Sequence, residues 1–219
     1  MIAAKLQLVV RILGLVLLLS GCVVTPDSKQ SLPVLSVAER EARLKAFNAW
    51  RVNGSISLNS AEEGKFNASF SWDASGTSFD LKLFGPLGVR ALQLTQTPEG
   101  ASLIDRDGQT NASSAEQLLL RATGFIVPIS EMQIWAVGLP GNGKELQRDE
   151  AGRLTSMVVD EGEIKWNITY PRYSVVDNID LPRFVNIDSE GIQIKLSFRR
   201  WIRSNQPVSD RLSIPGATT

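Results

Sequence analysis

The sequence predicts a mainly β protein of the α+β kind, a single large curved antiparallel sheet covered on its apolar face by two or three helices, with a cavity between. Three observations predict it. Apolar and polar residues alternate at a period of two in several runs between Trp50 and Phe198. Short clusters of Gly, Pro, Asp, Asn and Ser separate those runs, as expected for antiparallel strands joined by tight turns. Helical patterning is confined to one segment ahead of the strands and two in the middle of the chain. A sheet that is apolar on one face must be covered. The helices are the available cover, and the space beneath them is the natural cavity.

The first element is a targeting segment. Met1 to Arg11 carries Lys5 and Arg11 without an acid, the apolar run Ile12 to Leu19 follows, and Ser20-Gly21-Cys22 closes it. This is the layout of a secretory signal, too short in its core for the roughly 20 apolar residues of a membrane span. Leu19-Ser20-Gly21-Cys22 resembles a bacterial lipoprotein box. The resemblance implies that residues 1–21 are removed and that Cys22 carries S-diacylglycerol and N-acyl lipid. Val23 after the cysteine resembles the outer-membrane address of enterobacterial lipoproteins. Residues 22–35, with Pro26 and Pro33, then form an acylated tether, of which the 13 residues from Val23 to Leu35 reach at most about 45 Å. Residues 36–219 are expected to form one domain.

Within that domain, Ser36 is placed to cap a helix from Val37 to about Ala49, with Val37, Leu44 and Phe47 as its apolar stripe. From Trp50 the period becomes two. Phe66, Ala68, Phe70 and Trp72 alternate with Asn67, Ser69 and Ser71; Phe79, Leu81 and Leu83 alternate with Asp80 and Lys82; Leu92 and Leu94 alternate with Gln93 and Thr95. Ser113-Ser114-Ala115-Glu116 reads as a capping box ahead of Leu118-Leu119-Leu120, a helix ending at Gly124. Ser130 to Val137 reads as a second short helix, stopped by Gly138 and Pro140. Alternation resumes in Ile164, Trp166, Ile168 and Tyr170, and again in Ile192, Ile194, Leu196 and Phe198.

Composition removes whole classes of chemistry. The 219 residues carry 23 basic and 23 acidic side chains, so there is no electrostatic case for nucleic acid. The chain has no histidine and one cysteine. Ser-His-Asp and Cys-His catalysis, His-ligated metal sites and an internal disulfide are excluded. Gly138 to Lys144 fits GxxxxGK, but Glu145 stands where Ser or Thr should hold magnesium, and a helix precedes it where a strand is needed. It reads as a loop. Asp105-Arg106-Asp107-Gly108 reads as a hairpin turn. Arg199, Arg200 and Arg203 read as a solvated face. No cofactor and no enzymatic activity are expected, and a monomer is.

Two features remain for function. The in-phase residues Phe70, Trp72, Leu81, Leu83, Trp166, Ile168 and Ile194 are expected to face an apolar cavity, beneath helices carrying Leu118 and Trp135. For the five tryptophans, ordinary core packing and cavity lining are equally suitable readings. The second feature is Gly85-Pro86-Leu87-Gly88, a turn between two strands with an aliphatic residue at its centre, where polar residues are the rule. Leu87 either folds back over a neighbouring strand or stands out as an apolar finger. On the second reading Pro86, Leu87 and Gly88 form a membrane-insertion loop.

The chain resembles the outer-membrane lipoprotein-receptor family LolB. The resemblance rests on the box ending at Cys22, Trp50-Arg51-Val52-Asn53-Gly54, Pro86-Leu87-Gly88 and Ser114 to Leu119. It continues through Gly124 to Pro128, Trp135-Ala136-Val137-Gly138-Leu139-Pro140, Trp166 with Tyr170, Leu181-Pro182 and a last strand ending near Trp201. Gly54-Ser55 departs from the family's usual Gly-Arg. The tail after Trp201 carries no motif. The resemblance implies an open barrel with a helical lid in the outer membrane, facing the periplasm. It also implies a LolA-like carrier, acylated lipoprotein cargo and outer-membrane lipid as partners. The competing expectation is a scaffold lipoprotein without transfer activity.

Overall fold

The computed structural model describes residues 35–61, 64–124, 127–161 and 164–204; Cys22, the signal, nearly all of the tether and the tail beyond Ser204 lie outside them. Two meanders are built. The first runs through β1 (Ala49–Ser60), β2 (Gly64–Ser75), β3 (Ser78–Phe84), β4 (Arg90–Thr97), β5 (Gly100–Asp105) and β6 (Gly108–Ala112). The second runs through β7 (Lys144–Arg148), β8 (Leu154–Glu161), β9 (Ile164–Val176), β10 (Ile179–Ser189) and β11 (Ile192–Arg203). Among the described residues they form one antiparallel sheet in the order β6-β5-β4-β3-β2-β1-β11-β10-β9-β8-β7. The first strand therefore pairs with the last, and the chain's middle forms both edges.

Register places the apolar phase on one face. Val52 lies opposite Trp72, Gly54 opposite Phe70 and Ile56 opposite Ala68 across β1 and β2. Trp72 faces Leu81 and Phe70 faces Leu83 across β3. On the other side of β1, Gly54, Ile56 and Leu58 meet Phe198, Leu196 and Ile194. The same phase continues through Val185 and Ile187 on β10 to Ile168 on β9, and through Trp166 to Val159 on β8.

Gly54 marks the tightest point of this seam. A bulge in β11 lets Asn53 pair with Arg200 and Gly54 with Phe198. A Cβ at Gly54 would collide with the Ser197 carbonyl oxygen and would stand 2.5 Å from Cζ of Phe70. The missing side chain lets the Phe70 ring lie over the strand, 6.0 Å from Phe198 and edge-on to it.

Three helices cover the apolar face. Helix α1 (Val37–Ala46) begins with a complete capping box between Ser36 and Glu39 and ends at Phe47, a few residues before the expected Ala49. Leu44 and Phe47 are buried, but Val37 is exposed. Arg40 takes the third inward place, where its guanidinium donates to Asp180 Oδ2 at 2.8 Å and to the Ala151 carbonyl at 2.8 Å. Helices α2 (Ala115–Thr123) and α3 (Ile129–Ala136) occupy the connection from β6 to β7. Helix α2 packs on β4, β5, β6 and α3.

Because the β1–β11 seam has no room at Gly54, Gly54→Ala should destabilise the domain by the cost of overpacking, about 1–3 kcal/mol. In urea the unfolding midpoint should fall while the slope stays unchanged.

Candidate functional site

All nine residues expected to line the cavity share one hydrophobic cluster between the sheet and the helices. Phe70, Trp72, Leu118, Trp135, Trp166, Ile168 and Ile194 are buried, and Leu81 and Leu83 pack against them partly exposed. Trp72, Trp135 and Trp166 are each at most 2% exposed. Trp72 meets Trp50 at 5.4 Å and Phe79 at 6.3 Å, both edge-on. A pocket of about 190 Å³ lies between α1 and α3, against Leu44, Phe47, Trp50, Ile134, Val137 and Leu139. Ligand pockets typically offer roughly 300–1,000 Å³. The space expected as a cavity is therefore filled by packed side chains, apart from this small pocket.

The compartment has an apolar rim at one end of the strands. Leu58, Leu83, Leu92, Ile164 and Ile192 keep the core-facing phase there yet are only half-buried, and Phe66 is exposed. Leu120 of α2 is exposed as well. The loop joining β3 to β4 springs from this same end.

That loop settles where Leu87 goes. Gly88 N–H donates to the Gly85 carbonyl at 3.2 Å, and Gly85 N–H donates to the Val89 carbonyl at 3.0 Å. Leu87 sits inside the turn at φ 66°, ψ 14°, and its side chain is fully exposed. A left-handed conformation costs a residue with a Cβ roughly 1–2 kcal/mol, and this turn position normally takes Gly or Asn. Val89 beside it is also exposed. A strained and solvated leucine gives nothing to the core, so its identity answers to something outside the fold.

The lid has its own latch. The cap of α2 is Ser114, which accepts from Gln117 N–H, rather than the expected Ser113–Glu116 pair. Helix α3 starts at Ile129, and its N-cap Pro128 offers no side-chain acceptor. Glu116 supplies one from α2: its Oε1 accepts from Ser130 N–H at 3.1 Å and from Ser130 Oγ at 2.7 Å. Burial raises the Glu116 pKa, but hydrogen bonds led by the Ser130 hydroxyl outweigh it and hold the carboxyl below its ordinary value.

The remaining candidates carry no chemistry. Gly138 to Glu145 turns through Pro140–Gly143 into β7, and Lys144 reaches Asp160 at 3.5 Å. Asp105 to Gly108 is the β5–β6 hairpin turn. Arg199, Arg200 and Arg203 are exposed, with Arg203 4.8 Å above the Phe47 ring. A groove of about 780 Å³ lies along the opposite, polar phase of the sheet, where Ser55, Ser57, Asn67, Ser69, Lys195 and Ser197 run between Phe84 and Phe184. Sequence reasoning missed this groove because Ser, Asn and Lys on the polar phase of a strand read as a solvated face. Among the described residues no three acidic or cysteine side chains gather as a metal site would require.

Comparison with known proteins gives one family. The profile of the family described as outer membrane lipoprotein LolB matches residues 48–201. The outer-membrane lipoprotein LolB of Klebsiella pneumoniae subsp. pneumoniae is 31% identical over 180 residues, covering 81% of this chain and 85% of its own. That of Aeromonas hydrophila subsp. hydrophila is 29% identical over 191 residues, covering 86% and 93%. Among solved structures, a LolA superfamily protein from Nitrosomonas europaea aligns with a TM-score of 0.47 and 10% identity, over 79% of this chain and 99% of its own.

The latch generates a measurement. Glu116→Ala leaves the first turn of α3 without its acceptor. At about 1 kcal/mol per net hydrogen bond, amide exchange at Ser130 should accelerate roughly fivefold while β1 is unchanged. The carboxylate's contribution is present above the ordinary range near 4.3 and is lost as pH falls through its lowered value. The same acceleration should therefore appear in the unsubstituted protein only in acid.

Proposed function

The chain belongs to the LolB family of outer-membrane lipoproteins, and from that membership we propose that it accepts acylated lipoproteins from a LolA-like periplasmic carrier and inserts them into the inner leaflet of the outer membrane. The observation that carries this reading is a one-sided apolar compartment whose rim, from Phe66 to Ile192, opens beside an exposed leucine. A scaffold protein would share the tightly packed interior. It would have no use for an exposed apolar rim or for a strained Leu87.

The physical problem is solvation. At about 0.8 kcal/mol per methylene, an acyl chain of roughly 16 carbons resists exposure to water by about 12 kcal/mol. The chains must pass from one apolar surface to the next. On this reading the carrier docks at the rim, α2 and α3 lift, and the acyl chains slide past Leu83, Leu92 and Phe66 into the space the lid vacates. No energy source is required. Direction follows from rising affinity, from carrier to receptor to bilayer.

The chain's own lipid, on Cys22, keeps the domain at the membrane through a tether that includes residues 23–35. Leu87 supplies the local contact. Burying one leucine contributes about 1.5–3 kcal/mol, small beside the anchor but enough to hold the rim against the surface, where Val89 follows it in. There the finger disturbs lipid packing beside the mouth and opens an apolar route for cargo.

Mass spectrometry of the mature protein should find Cys22 first and acylated; a chain beginning elsewhere sinks the anchor assignment. Leu87→Glu should fold and capture cargo normally but release it slowly into liposomes, whereas Leu87→Phe should largely preserve release. Leu87→Gly is the sharper variant. It relieves the positive φ, so stability should hold or rise by about 1 kcal/mol, while release falls as with glutamate. Unfolding of Leu87→Glu, or normal release by Leu87→Gly, overturns the finger.

A further inference from the structure

Among the described residues, four aromatic hydrogen-bond donors in the core, besides Arg40 Nε, have no protein partner. The indole N–H groups of Trp72, Trp135 and Trp166 and the hydroxyl of Tyr170 are all buried without an acceptor. The fold pairs comparable groups elsewhere: Trp201 Nε1 donates to the Pro182 carbonyl at 3.3 Å and Tyr173 Oη to the Leu154 carbonyl at 2.6 Å. Native interiors rarely leave such groups unpaired, and each one that is left calls for an explanation.

Their positions differ along the compartment. Ile164, at the start of β9, belongs to the half-exposed rim, and Trp166 is the next residue inward on the same face. Tyr170 lies four residues deeper along that strand, about 13 Å further in. Trp135 Nε1 and the unpartnered Glu131 Oε2 both lie close to Gly141, 3.7 Å and 2.9 Å from where its Cβ would stand, so that indole has a potential acceptor in its own helix. Trp72 lies on the other flank, on β2. Trp166 is therefore the unpartnered donor just inside the rim.

The chemistry of an unpaired indole N–H selects its ligand. It donates only, and in an apolar setting it needs an acceptor that arrives with an apolar guest. The carbonyl oxygens that join fatty chains to glycerol or to an amine are such acceptors, and they lie at the head of the chains, nearest the rim when the chains point inward. Resting on the receptor reading above, we propose that the Trp166 indole N–H donates to an acyl carbonyl of the cargo's lipid. The receptor thus recognises the linkage as well as the hydrocarbon. Tyr170, a chain-depth further in, contacts hydrocarbon and takes no part in this recognition.

The test compares two synthetic S-glyceryl-cysteine peptides with sixteen-carbon chains, one with ester linkages and one with ether linkages that lack the carbonyls. The mature protein should bind the ester peptide about tenfold more tightly, the scale of one buried hydrogen bond left unmade. Trp166→Phe should abolish that preference and leave ether binding unchanged within about twofold. Tyr170→Phe should keep the preference. Because Trp166→Phe also removes volume, β-(3-benzothienyl)alanine at position 166, which retains the indole's shape without its N–H, provides the variant that cannot fail through packing. Equal binding of both peptides by the unsubstituted protein overturns the assignment of Trp166 and leaves the receptor reading standing. So does an ester preference that survives the benzothienyl variant. Failure to bind either peptide overturns both.

Discussion

The pairing of β1 with β11 joins two meanders that are each local in sequence, and it runs from Trp50 opposite Arg203 to Ser60 opposite Ile192. Its consequences reach the whole molecule. With the first and last strands in the middle of the sheet, β6 and β7 become opposite edges although they are consecutive strands. The segment between them must return across a face of the sheet. Only the apolar face gains from cover, so the return carries α2 and α3. The lid is thus a consequence of the seam, and the seam depends on Gly54 having no side chain. Contacts this distant in sequence are slow to form, so each meander has every reason to organise first.

The helices are held in unequal ways. Helix α1 is tied to the second meander by Arg40 with Asp180 and by Arg148 with Glu41, both at 2.8 Å, and Phe47 inserts against Trp201. Removing one member of a buried pair typically costs about 3–5 kcal/mol, so this helix stays where it is. Helix α3 has no side-chain cap of its own; Ser130 leans on a carboxylate of α2, Gln133 Nε2 donates to the Gly76 carbonyl, and Ile129, Met132 and Trp135 are buried in the core. On the reading proposed for Trp166, its unpaired N–H acts against the empty state, since a guest that accepts from it relieves the cost of leaving it unmade.

Much of this was legible because β-strands with one buried face write their period into the sequence. The runs from Phe66 to Trp72, Ile164 to Tyr170 and Ile192 to Phe198 all appear with their apolar residues in the expected phase. Strands β6 and β7 carried no such signal: Gln109, Thr110, Asn111 and Gln147 are exposed, and an edge strand has little to bury. Arg40 could not be read as buried, because its partner Asp180 is 140 residues away. The Asp177-Asn178 turn was missed although both residues adopt positive φ, since Asp-Asn is a weaker signal than Asn-Gly for that geometry. Two courses for Leu87 are open in the sequence, folded over a strand or standing out, and its side chain is fully exposed. Which donors would remain unpaired was beyond sequence altogether, because an indole reads the same with or without an acceptor.

The two edges of the sheet, β6 and β7, do not pair with each other. A closed barrel has a girth set by its strand number and stagger, and it changes only by breaking ladder bonds. A sheet left unjoined is under no such rule. It can uncurl by small changes of twist shared among ten strand-to-strand joints, each keeping its hydrogen bonds. The molecule is in this sense a clasp rather than a vessel, because no closure fixes its girth.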